Sequence, residues 1–105
     1  MFVVIFKAKI RAVDPEYSQL AAQLRSLALT DFGCLEFHSV SDGDTEIALS
    51  YWPSTEAIAA WRAHPEHLRA QQSGQSRWYE YYSVQVATIT RQYSGPHSSA
   101  GPIAE

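Results

Sequence analysis

The run Phe2-Val3-Val4-Ile5-Phe6-Lys7-Ala8-Lys9-Ile10-Arg11 decides the architecture. Phe2, Val4, Phe6, Ala8 and Ile10 form one apolar face. The intervening residues begin apolar at Val3 and Ile5 and turn basic at Lys7, Lys9 and Arg11. A period of two is that of a β-strand, because successive side chains leave opposite sides of the pleat. This strand therefore buries one face fully and the other by half. A secretory leader carries its charge ahead of the apolar run; here the charge follows it, so the segment reads as a strand of a cytoplasmic protein.

Working outward, Asp14-Pro15-Glu16 has the form of a helix start. Asp14 serves as N-cap, Pro15 fits the first turn, and Glu16 complements the helix dipole. Tyr17, Leu20, Ala21, Leu24, Leu27 and Ala28 follow at helical spacing, which predicts a helix to about residue 29 and a break at Gly33. Residues 34–41 and 45–52 flank Ser41-Asp42-Gly43-Asp44 and predict a hairpin. Ser54 offers a cap for a short helix through Ile58 and Trp61. Pro65 suits the first turn of another helix and would kink an interior. That helix is expected to run to about Tyr82, weakened at Gly74, with a last strand over 83–93. Residues 1–93 form the domain, and the Ser/Gly/Pro-rich stretch 94–105 reads as a tail.

The order strand, helix, strand, strand, helix pair, strand predicts an α+β chain with the ferredoxin-like βαββαβ plan. This is a four-stranded antiparallel sheet with its helices on one face. Helices cover only that face, yet Val3 and Ile5 make the other apolar as well. A second sheet from a twin subunit covers it economically, which predicts a homodimer joined through the open sheet face.

Composition excludes several function classes. The chain has 105 residues, the size of one domain. Its 46% hydrophobic content excludes wholesale disorder. No apolar stretch approaches the roughly 18 residues of a membrane span. Eight Lys and Arg against eleven Asp and Glu leave a net charge of -3, which argues against nucleic acid and anionic membrane surfaces as partners. Cys34 is alone, and one Cys with four scattered His is no zinc framework, so no metal site is expected. No P-loop, dinucleotide fingerprint or Gly-x-Ser-x-Gly elbow is present.

What stands out is a set of aromatics interleaved with polar residues: Tyr51, Trp52, Trp61, His64, His67, Trp78, Tyr79, Tyr81 and Tyr82. Trp61 serves equally as a core anchor of the short helix or as a pocket wall. His64, three residues on, shares its face if the helix continues, and is either a base or only the cap of the helix at Pro65. His67 reads as solvated, His38 as a sheet residue, Cys34 as an inert thiol, and Tyr79 with Tyr82 as packing.

Gly33-Cys34-Leu35-Glu36-Phe37, Tyr51-Trp52-Pro53-Ser54, Ala57 through Trp61, His64-Pro65-Glu66-His67 and Arg77-Trp78-Tyr79-Glu80 resemble the antibiotic biosynthesis monooxygenase superfamily, over residues 2–93. The resemblance implies a dimeric α/β barrel. It also implies a cofactor-independent monooxygenase that ionises a phenol, quinol or anthrone and lets the anion reduce oxygen directly. For that chemistry Trp61, Trp78 and Tyr51 are expected as pocket walls and His64 as base, with Tyr81 or Arg62 holding the oxyanion. The alternative is a non-catalytic dimer of the same fold that binds a small ligand. A third branch degrades haem, using an Asn on the first strand and a His ten positions after the short-helix Trp. Here Gln71 stands ten after Trp61 and the chain contains no Asn, so haem chemistry would need His64 or His67 to stand in one or two turns earlier, and no cofactor is expected.

Overall fold

The computed structural model describes residues 1–96. The first strand, β1 (Phe2–Ile10), leads to helix α1 (Pro15–Asp31), then to the hairpin of β2 (Glu36–Asp42) and β3 (Thr45–Trp52). Helices α2 (Thr55–Arg62) and α3 (Pro65–Ser73), a π-helical turn (Gly74–Trp78) and β4 (Tyr79–Thr88) complete the chain. Strand order is β2-β3-β1-β4 with every neighbour antiparallel, so this is the ferredoxin-like α+β plan. The expected tail, 94–105, lies outside the described residues beyond position 96.

Each helix begins where a side chain satisfies the free backbone N–H groups of its first turn. The Asp14 carboxylate accepts from Tyr17 N–H at 3.0 Å, and Ser54 Oγ from Ala57 N–H at 3.1 Å. His64 Nδ1 accepts from Glu66 N–H at 3.1 Å. Helix α1 ends at Asp31, and the chain turns away at Gly33, whose φ of 79° only glycine adopts freely, while Cys34 N–H returns to the Ala28 carbonyl at 2.9 Å. Gly43, at φ 61°, turns the hairpin.

The alternation in β1 resolves as the pleat requires. Val4 and Ala8 are buried against the helices. Val3 and Ile5 face the other way, paired with Tyr51 and Leu49 of β3. Trp52 and Ala28, both fully buried, join Val4, Cys34, Ile58 and Trp61 in the core at one end of the sheet. The Trp61 indole donates to the Leu24 carbonyl at 3.1 Å and tilts over Trp52 with centroids 5.2 Å apart.

The last third departs from the expected pattern. Helix α3 ends at Ser73 and β4 starts at Tyr79, four residues before the predicted start of the last strand. Lys9 pairs with Tyr81 but Ile10 with Tyr79, a register shift that leaves Glu80 as the extra residue of a bulge. The shift restores Tyr79 to the helix-side face that Tyr82 already occupies opposite Ala8. Tyr81 and Glu80 are left exposed, with Glu80 in an ion pair to Lys9 at 3.1 Å.

Candidate functional site

Between the sheet and its helices lies a cavity of about 430 Å³, partly open to solvent and mostly apolar. Val4 and Phe6 form its floor; Leu20 and Leu24 of α1, with Trp61 and Trp78, form its walls. A cleft of this size with few polar groups is the usual form of a small-molecule site.

Of the residues expected from sequence, Trp61, Arg62 and Trp78 come together on the lining. Tyr51, His64 and Tyr81 lie outside it. Tyr51 pairs with Val3, and Tyr81 with Lys9, both on the open face of the sheet, and Tyr81 is 62% exposed. The Nδ1 lone pair of His64 is engaged by its own helix cap, and its ring lies against Phe32 at 6.0 Å.

The histidine on the cavity wall is His67. Its ring stands edge-on to Trp61 at 4.5 Å between centroids. Its Nδ1 is buried and finds no hydrogen-bond partner among the described residues. Burial, and then the Arg62 guanidinium, push its pKa down to about 4, so the imidazole is neutral at pH 7. Trp61 and His67 are six residues apart, a spacing that puts no two residues of one helix in contact. They meet only because the chain breaks between α2 and α3. The sequence signal that pointed here was the break itself, Ala63-His64-Pro65.

Tyr79 and Tyr82 also line the cavity, brought there by the bulge, and Tyr17 joins them from α1. Tyr17 meets the Trp78 ring edge-on at 5.2 Å and the Tyr79 ring at 6.4 Å. Burial raises the pKa of both Tyr17 and Tyr79, and the neighbouring Glu46 raises each further. Tyr79 is pushed up to about 12, so these hydroxyls keep their protons. Among the described residues the other buried side-chain nitrogen without a hydrogen bond is Trp78 Nε1, which faces the Asp14 carboxylate.

Among the described residues no three His, Cys, Asp or Glu side chains gather to hold a metal ion. Gln71 lines the cavity where the haem-degrading branch carries its histidine. A carboxamide is a poor iron ligand, so Gln71 does not supply the haem ligand. No described helix is long and apolar enough to cross a membrane.

This fold recurs in known proteins. The structure is similar to that of SnoaB, a cofactor-independent oxygenase from Streptomyces nogalater. The TM-score is 0.72 at 11% identity, covering 87% of this chain and 94% of that one. It is similar also to Rv0793 from Mycobacterium tuberculosis, with a TM-score of 0.65 at 17% identity over 89% and 98% of the two chains. In sequence it is 41% identical to YqjZ of Bacillus subtilis (strain 168) over 92 residues, 87% of this chain and 81% of that protein. Residues 1–73 match the family model of the antibiotic biosynthesis monooxygenases, and this chain belongs to that family.

Proposed function

We propose that this protein is a cofactor-independent monooxygenase acting on a small electron-rich aromatic, a phenol, quinol or anthrone, with His67 as the base. One observation carries the reading: a neutral imidazole stands on the wall of an aromatic cavity, edge-on to Trp61 and next to Arg62. A neutral ring retains a lone pair for the substrate proton. The same Arg62 charge that disfavours imidazolium stabilises the aromatic anion once the proton has moved. Trp61 and Trp78 hold the ring system. The base role passes from His64 to His67 because the His64 Nδ1 lone pair is already committed to Glu66 N–H.

The chemistry balances with dioxygen as the only oxidant. The bound anion passes an electron to O2, and the two radicals join in a new C–O bond. The peroxide anion takes the proton back from His67, and the hydroperoxide then loses water, together with the hydrogen on the same carbon, to leave a carbonyl. A CH2 group and O2 become C=O and H2O, with four electrons drawn from the substrate.

The second reading, a non-catalytic dimer that binds a small apolar ligand, is favoured by the opening of the cavity to solvent. An oxygen electrode separates the two. Uptake of one O2 per anthrone or quinol supports the oxygenase, whereas tight binding without uptake supports the binder. In either reading the protein is a cytoplasmic homodimer, with Val3, Ile5, Ile47 and Leu49 covered by a twin sheet; their shared apolar face supports this.

A further inference from the structure

The cavity has two chemically different ends. Strand β3 turns Glu46, Ala48 and Ser50 toward the helices, so Glu46 and Ser50 stand four residues apart, about 13 Å along the strand. Trp61 lies over Phe37, the partner of Ser50 across the sheet, and carries His67 with it, which fixes the imidazole at the Ser50 end. At the far end Glu46 shares the wall with Tyr17 and Tyr79. Ser41 Oγ donates to Glu46 Oε2 at 3.1 Å and the Tyr17 hydroxyl also hydrogen-bonds the carboxylate, which steadies it; with about four lone-pair positions it still has room for a further donor. A carboxylate only accepts hydrogen bonds, and the two tyrosine hydroxyls, held protonated, do not neutralise it.

We propose that Glu46 is a specificity determinant. It accepts a hydrogen bond from a hydroxyl group at the end of a fused-ring aromatic remote from the reacting hydroxyl, and it rejects ligands that carry a carboxylate there. The inference rests on the oxygenase reading only in that the reacting hydroxyl sits at His67. A hydrogen bond to a charged acceptor is worth about 1.5–3 kcal/mol, or roughly 10–100-fold in affinity. Placing a second carboxylate against Glu46 costs at least as much.

The test compares three probes by calorimetry on the intact protein. They are a naphthalenediol with hydroxyls at opposite ends, the corresponding naphthol, and the hydroxynaphthoic acid with a carboxylate in place of the far hydroxyl. The expected order is diol tighter than naphthol by roughly 10-fold or more, with the acid weakest. Glu46→Gln should bring the acid to within a few-fold of the diol. Ser41→Ala, at an exposed position, should narrow the same ratio in part, and serves where Glu46→Gln fails to fold. Binding of all three probes with ratios unchanged in both variants overturns the role of Glu46 alone. Binding of none overturns it together with the aromatic site. Glu46-dependent ratios without oxygen uptake leave the specificity role standing and remove the oxygenase.

Discussion

The imidazole of His67 stands edge-on to the indole of Trp61, centroids 4.5 Å apart and planes at 81°, across a break between two helices. The positive edge of one ring meets the face of the other, so Trp61 fixes the orientation of the imidazole as well as shielding it. Replacing His67 by Phe keeps a ring in that position and removes the base. With an anthrone or quinol as substrate, His67→Phe should lower turnover by about 10²–10⁴-fold. His64→Ala removes a helix cap. It should lower the unfolding free energy by about 1 kcal/mol and leave turnover within a few-fold. The reverse pattern, loss of turnover in His64→Ala and none in His67→Phe, would return the base role to His64.

The same burial makes stability depend on pH. The His67 imidazole is pushed down to a pKa of about 4 in the folded chain, against an ordinary value of 6.5. Between those values the unfolded chain binds a proton there that the folded chain does not. Stability therefore rises with pH across this window and is lost as pH falls through it. From pH 7 to pH 5 the loss should be about 1–2 kcal/mol, allowing for the part of the ring that remains exposed. Urea unfolding at the two pH values measures it, and carboxylates contribute little there because most titrate below pH 5. In His67→Phe the difference should shrink to a fraction of this; an unaltered difference would show that the ring is charged or solvated in the folded protein.

The first half of the fold was legible because its signals are local. Alternation in β1, the caps at Asp14 and Ser54 and the Gly43 turn each fix a boundary from a few neighbouring residues. The last third was not, because two irregularities reset its period. The π-helical turn ends α3 early, and the bulge at Glu80 leaves Tyr79 and Tyr82 on one face of a strand at a spacing of three, which reads as helical. The site failed in the same way. Trp61 and His64 share a face only if one helix runs through both. Pro65 signals the break, but the angle of α3 to α2, which carries His67 inward, is set by packing against α1 and has no local signature.

The open face of the sheet gives a prediction about assembly. Ile5 pairs directly with Leu49, flanked by Val3 and Ile47, and no described helix lies over them. A charge placed in the centre of such a face loses its hydration on association and finds no partner. Ile5→Glu should shift sedimentation from dimer to monomer at micromolar concentration, while the circular dichroism of the fold is retained. Wild-type protein sedimenting as a monomer would remove the homodimer altogether.

The last prediction concerns Gly74, which opens the π-helical turn. Its backbone is ordinary right-handed helix, at φ -60° and ψ -48°, so no conformational need for glycine exists. The need is steric. A Cβ at this position would lie 2.4 Å from Cε2 and 2.7 Å from Cδ2 of Tyr79, so the absent side chain is what lets the Tyr79 ring pack against the turn and line the cavity. Gly74→Ala has two opposed effects. Alanine gains about 1 kcal/mol of helix propensity, while forcing the ring aside costs about 1–3 kcal/mol. The tyrosine ring cannot bend and its hydroxyl is buried beside Tyr17, so the steric cost should win, with a net loss of about 1 kcal/mol in urea unfolding. The displaced ring should also weaken binding of the naphthalenediol, because Tyr79 forms part of the end that receives its far hydroxyl. Gly74→Ala more stable than wild type, with unchanged affinity, would mean that Tyr79 moves freely and shapes nothing in the cavity.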